Sequence, residues 1–102
     1  MIKWGIIGAG HIAQRFARSL AHSNQGKLYA VASHTVTKLD LFTEEYPGIS
    51  TYTDYMQILE DKNVDVVYIA LRHKDHYKWA KEALLNKKAV LCEKPATLSV
   101  EE

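Results

Sequence analysis

Apolar residues recur along this chain in two alternating rhythms. Ile2–Ile7 is short and mostly apolar, as a strand covered on both faces is. Beyond it Ile12, Phe16, Ala17 and Leu20 return at helical spacing, and Asn24-Gln25-Gly26 ends that helix. Leu28–Ala32 reads as a second buried strand, and a helix over roughly Thr37–Tyr46 stops before Pro47-Gly48. A short strand around Ser50–Tyr52 leads to Asp54, whose carboxylate suits the N-cap of a helix over Tyr55–Glu60. Val64–Leu71 carries Val64, Val66, Val67, Tyr68 and Ile69 and is the strongest strand. His76–Leu85 is helical, with Trp79, Ala80, Ala83 and Leu84 on one face and Asp75 as its cap. Ala89–Cys92 is a fifth short strand.

Strands that are apolar on both faces and separated by helices predict a parallel sheet covered on each side. Right-handed crossovers then make an α/β, doubly wound sheet of order 3-2-1-4-5, with its ligand crevice between strands 1 and 4. A chain of 102 residues supports one such domain and one core, with no repeat or linker. Thirteen basic against twelve acidic residues leave no charged surface that would draw nucleic acid or membrane. A single cysteine, Cys92, excludes an internal disulfide and fits a cytoplasmic location. His11, Gln14, Arg15 and Arg18 interrupt any signal-peptide core after Lys3, and no apolar run approaches membrane-spanning length. At the other end Ser99-Val100-Glu101-Glu102 has the form of a capping box, which announces a helix. Residues 1–102 are therefore expected to be the front part of a longer protein, a polar tail being the alternative.

Chemistry concentrates where strands give way to helices. Gly8-x-Gly10-x-x-Ala13 follows the first strand directly. Gly8 permits the tight turn, Gly10 lets a pyrophosphate approach the backbone, and small Ala13 lets the helix pack on its strand. The phosphates of a dinucleotide would sit at the helix N-terminus, where unpaired N–H groups and the positive end of the dipole favour an anion. The second strand ends Ser33-His34-Thr35, with Lys38 one turn on and no acid before Asp40. A site for NAD usually places Asp or Glu here to accept from the ribose 2′-hydroxyl. Hydroxyl, imidazole and ammonium groups suit the 2′-phosphate of NADP better than a bare diol, although a polar loop without ligand has the same composition. The fourth strand ends Leu71-Arg72-His73, facing the nicotinamide side of the crevice, with His76 beyond it. His73 and His76 lack a third ligand at a recognisable spacing, so no metal site is expected. Glu93-Lys94-Pro95 leaves the fifth strand at the crevice mouth. A lysine there can hydrogen-bond a substrate hydroxyl or supply positive charge as hydride leaves an alcohol carbon.

Together these segments resemble the glucose–fructose oxidoreductase, inositol dehydrogenase and MocA family over essentially the whole chain. The resemblance rests on Trp4–Ala13, Ala30–Ser33, Tyr52-Thr53-Asp54, Val66–Ala70, His76-Tyr77-x-Trp79-Ala80 and above all Val90-Leu-Cys-Glu-Lys-Pro95. It implies a Rossmann domain followed by a larger α/β domain, absent here, that carries much of the substrate site and the usual dimer surface. It implies that Gly8, Gly10, His11 and Ile12 contact the pyrophosphate and that Ser33 and His34 lie beside the adenosine ribose, the family commonly having Arg at position 34. Glu93 would contact the cofactor, Lys94 would reach the reacting substrate, and the Lys94–Pro95 peptide is often cis in the family. One departure stands out. Where the family usually has Thr-Pro-Asn against the nicotinamide, this chain has Leu71-Arg72-His73, although His76 still matches. The implied activity is hydride transfer between NADP or NAD, NADP preferred, and a secondary alcohol of a sugar, polyol or dihydrodiol, by a longer, homo-oligomeric parent. Residues 1–102 alone would be inactive. The departure at Leu71 leaves a non-catalytic nucleotide-binding or interaction protein as the alternative.

Overall fold

The computed structural model describes residues 2–22, 26–71 and 73–92, with the backbone alone at His73, Lys74 and Cys92. The elements run β1 (Ile2–Ile7), α1 (His11–Ala21), β2 (Gly26–Ala32), α2 (Val36–Glu45), β3 (Ser50–Tyr52), α3 (Tyr55–Leu59), β4 (Val66–Ile69), α4 (His73–Leu85) and β5 (Ala89–Cys92). Five strands form one sheet of order β3-β2-β1-β4-β5, the order the alternation predicts. Every pairing in it is parallel.

Because side chains alternate across a strand, each central strand feeds two cores. Ile6, Val31 and Tyr68 face α1 and α2, packing with Ala13, Ala17, Leu39 and Phe42. Ile7, Ala30, Ala32 and Val67 face α3 and α4, packing with Ile58, Leu59 and Ala83. On the first side Phe16 lies parallel to Tyr68 at 4.0 Å between ring centroids, and Trp4 meets Phe16 edge-on at 5.1 Å. On the second, Asp54 caps α3 as its position suggested, accepting from the Met56 N–H at 3.0 Å.

Several boundaries differ from the expectation, each for a local reason. Gly26 does not end α1, which stops at Ala21. It opens β2 instead, where a Cβ would come within 2.6 Å of the Trp4 indole nitrogen. Ile12 is 42 % exposed, because the buried stripe of α1 runs through Ala13, Ala17 and Leu20. Val64 is buried but precedes β4, its N–H turned back to the Asp61 carbonyl. The helix α4 starts at His73, three residues earlier than expected. Asp75 therefore does not cap it but sits inside its first turn, where a negative charge suits the dipole. Leu84 is 63 % exposed and leaves the apolar face to Trp79, Ala80 and Ala83. The capping box at Ser99–Glu102 lies outside the described residues. No helix among the described residues is long and apolar enough to cross a membrane.

Candidate functional site

The strands end on one rim of the sheet, and the turns leaving β1, β2 and β4 enclose a cleft of about 530 Å³ there. Gly8 forms its floor. Its φ of +101° is a conformation that side chains disfavour, and an added Cβ would lie 2.7 Å from the Ala70 carbonyl oxygen. The Gly8 N–H donates to the Ala32 carbonyl at 2.8 Å, so this residue ties the end of β1 to that of β2 at the point where the chain turns. Gly10 is different in kind. It has an ordinary extended backbone (φ −86°, ψ −161°), and an added Cβ would meet nothing within 4 Å. The space above Gly10 is therefore open cleft, next to the start of α1. Gly10 is the N-cap of that helix and offers no capping side chain, and no acid stands in the first turn. An anion placed there finds N–H donors and the helix dipole without a competing carboxylate.

The end of β2 makes one wall. Ser33 is buried, donates its N–H to the Tyr52 carbonyl at 3.0 Å, and accepts the Thr35 N–H on its hydroxyl at 3.1 Å. That turn holds His34, Thr35 and Lys38 on the rim. The His34 ring stacks on Tyr55 at 4.2 Å and 12°. Tyr55 in turn meets Trp79 of α4 edge-on at 5.0 Å. The opposite wall is Ala70, Leu71, Asp75, Lys78 and Trp79. Burial pushes the Tyr55 hydroxyl pKa up, with the Asp75 carboxylate adding to the effect.

Seven of the residues singled out for a dinucleotide thus line one cleft, namely Gly8, Gly10, Ser33, His34, Thr35, Lys38 and Leu71. His11 and Ile12 open α1 and are exposed beside it, without lining it. His76 lies below the surface, 8 % exposed, with its Nε2 donating to the Leu71 carbonyl at 2.5 Å. In this geometry it anchors the turn that presents Leu71. The side chain of His73, and Arg72, Glu93 and Lys94 altogether, lie outside the described residues. The reading from sequence missed Tyr55, Lys78 and Trp79. A signal for two of them was in plain view, since Asp75, Lys78 and Trp79 stand at i, i+3 and i+4 and share one helix face. Among the described residues no group of three or more His, Cys, Asp or Glu could hold a metal ion.

A parallel sheet of this order, with a glycine turn and an open helix start at its switch point, defines a dinucleotide-binding domain. Residues 2–102 match the GFO_IDH_MocA model, described as an oxidoreductase family with an NAD-binding Rossmann fold, and the chain belongs to that family. It is 34 % identical over 103 residues to trans-1,2-dihydrobenzene-1,2-diol dehydrogenase of Mus musculus, an alignment covering 99 % of this chain and 31 % of that protein. It is 34 % identical over 110 residues to D-xylose 1-dehydrogenase (NADP(+)) of Hypocrea jecorina, covering 96 % of this chain and 28 % of that one. Among solved structures, a 3-ketoreductase from Actinomadura kijaniata in complex with NADP and TDP-benzene superimposes with a TM-score of 0.86 at 35 % identity, covering 93 % of this chain and 29 % of the other. Scyllo-inositol dehydrogenase from Lactobacillus casei, with bound NAD(H) and scyllo-inositol, gives 0.86 at 29 % identity, covering 94 % and 28 %. The chain thus spans about three-tenths of the length of these relatives.

Proposed function

We propose that residues 1–102 are the cofactor-binding domain of an oxidoreductase that exchanges a hydride between NADP, in preference to NAD, and a secondary alcohol of a sugar, polyol or dihydrodiol. One observation carries this reading. The open space above Gly10 and the hydroxyl, imidazole and ammonium groups at the end of β2 belong to the same cleft. The residues present suit the cofactor. The pyrophosphate would lie over Gly10 against the start of α1, beside His11 and Ile12. The adenosine ribose would lie beside Ser33 and His34. The nicotinamide, which gives or takes the hydride, would extend past Leu71 toward His76 and the segment after β5. Glu93 would hold the cofactor there, and Lys94 would hydrogen-bond the reacting oxygen of the substrate.

The choice of NADP rests on the wall contributed by β2. Ser33, His34, Thr35 and Lys38 line it without a carboxylate to accept from a free 2′-hydroxyl. Among the relatives, the xylose dehydrogenase is named for NADP(+) and the 3-ketoreductase structure holds NADP, while the inositol dehydrogenase structure holds NAD(H). The substrate class follows the relatives' own named alcohols. Substrate contacts and the dimer surface would come from a second α/β domain, in a cytoplasmic homo-oligomer, so residues 1–102 by themselves would not turn over. Calorimetric titration of the chain with NADPH and NADH tests the cofactor reading. Tighter binding of NADPH is expected, and equal or reversed affinities would overturn the preference. A second reading, a nucleotide-binding protein without catalysis, draws on Leu71, which lines the cleft where the resemblance leads one to expect Thr. Dehydrogenase turnover by the full-length protein would eliminate it.

A further inference from the structure

The wall of the cleft facing His34 and Lys38 carries a cation of its own. Lys78, in the second turn of α4, lines the same space as Ser33, His34, Thr35 and Lys38. Its Nζ stands 5.0 Å above the ring of Trp79, close enough for a cation–π contact. Trp79 is itself held edge-on by Tyr55, and Tyr55 by the stacked ring of His34. A continuous row of rings thus runs from the β2 wall to the α4 wall, with Lys38 lining the cleft on the first wall and Lys78 on the second. Asp75 lies one turn before Trp79 and, among the described residues, is the acid lining the cleft. Its carboxylate is near enough to Tyr55 to oppose ionisation of the phenol.

We propose that Lys78 is a specificity-determining residue for the cofactor, reaching across the cleft to pair with the ribose 2′-phosphate from the side opposite His34 and Lys38, with Trp79 as the positioning residue that keeps it there. The proposal rests on the NADP reading above and adds a residue to it from a different element. A phosphate gripped between two walls is contacted on more of its oxygens than one bound to the β2 wall alone. A ribose bearing only hydroxyls gains little from an ammonium group. Asp75 works in the opposite sense, because a carboxylate in the same cleft repels the phosphate. The two α4 charges therefore adjust in opposite senses the discrimination that the β2 wall makes, and their removal should act with opposite signs.

The test compares adenosine 2′,5′-bisphosphate with adenosine 5′-monophosphate, two probes that differ only in the 2′-phosphate. Titrations of both probes with the 102-residue chain and its Lys78→Ala, Lys78→Arg and Asp75→Asn variants give the eight affinities needed. Lys78 is exposed and its substitution leaves both cores intact, which circular dichroism checks. Lys78→Ala should weaken the bisphosphate about fivefold and leave the monophosphate within about twofold, the scale of one partly exposed charge pair. Lys78→Arg should retain the preference, and Asp75→Asn should tighten the bisphosphate. If the unaltered chain binds both probes equally, the NADP reading itself fails. If it prefers the bisphosphate and Lys78→Ala prefers it as strongly, the preference belongs to the β2 wall and the role of Lys78 is refuted. Equal weakening of both probes would place Lys78 against the adenine or the 5′ side, and would refute it as well.

Discussion

Gly8 and Gly10 lie two residues apart in one motif, yet the structure assigns them opposite sensitivities, and a pair of substitutions separates them. At Gly8 the φ of +101° penalises any L side chain, and the Cβ of alanine would be 2.7 Å from the Ala70 carbonyl oxygen. That oxygen belongs to backbone at the end of β4 and cannot swing aside as a side chain could. Backbone strain of about 1–2 kcal/mol and overpacking of about 1–3 kcal/mol together set a loss of about 2–5 kcal/mol for Gly8→Ala. For a domain of this size each kilocalorie moves the midpoint by about 4–8 °C, so Tm should fall by at least about 8 °C. Gly10→Val meets none of these terms. Its φ of −86° is open to any residue, and nothing stands within 4 Å of the new Cβ. Loss of a flexible glycine from the unfolded chain offsets a poorer N-cap, so stability should stay within about 1 kcal/mol of the parent. Binding should respond the other way. The isopropyl group would fill the space in which the pyrophosphate is proposed to lie over the start of α1, and NADPH affinity should fall at least about 100-fold, about 2.7 kcal/mol. Thermal unfolding of both variants and calorimetric titration of Gly10→Val measure the two effects independently. Normal NADPH binding by Gly10→Val would reduce Gly8-x-Gly10 to a structural turn. An unchanged Tm for Gly8→Ala would refute the strain argument.

Three other outcomes are expected. In the full-length protein, assayed on sugars, polyols and dihydrodiols, Lys94→Ala should lower kcat by about 10²-fold or more with little change in cofactor affinity, the scale of one positioned donor; retained kcat would remove Lys94 from the chemistry. The Tyr52 hydroxyl donates to Asp61 Oδ2 at 2.6 Å, and this bond pushes its pKa up to about 12. A raised folded-state pKa means that its stabilisation is complete below pH 10 and lost as pH rises from 10 through 12. Tyr52→Phe should therefore cost about 1 kcal/mol in urea unfolding at pH 8, and the gap to the parent should close by pH 12. Lys87 has a φ of +64° just past α4, where the Lys87 and Lys88 N–H groups close the helix on the Leu84 and Ala83 carbonyls. Lys87→Gly should relieve that strain and raise Tm by a few degrees, about 0.5–1 kcal/mol. An unchanged or lower Tm would show that Lys87 is not strained.

The sheet order was legible because each apolar run is bounded by helical spacing on both sides, and parallel strands so separated have few ways to be wound. The glycine turn and the β2 wall were legible because Gly8, Gly10, Ser33, His34 and Lys38 all lie within a few residues of a strand end. What failed was the edge of two helix faces. Apolar spacing put Ile12 on one stripe with the buried Ala17 and Leu20, and Leu84 on one with the buried Ala83, whereas Ile12 and Leu84 are exposed and α1 and α4 turn their small residues to the sheet. Ala13, Ala17 and Ala83, each exposed by 1 % or less, let both helices come close to the strands. Close approach leaves less room for large side chains, so apolar character alone did not fix which residues lie under a helix that rests flat on the sheet.

The α4 wall of the cleft was hidden for a further reason. Helical period places Asp75, Lys78 and Trp79 on one face but does not say what that face meets. The early start of α4 at His73, held by His76 on the Leu71 carbonyl, sets the rotation of that face. The five-residue helix α3 then brings Tyr55 between His34 and Trp79, and only this contact turns the face into a wall of the cleft. Three elements distant in sequence must agree in tilt before the rings meet. A shift of α3 away from α4 would open the row of rings that joins His34 to Trp79, while leaving the sheet and the glycine turn as they are. On the proposed reading, the part that α4 plays in cofactor specificity is thus a tertiary property of α3 and α4, whereas the seat of the pyrophosphate would be local to Gly8–Ala13.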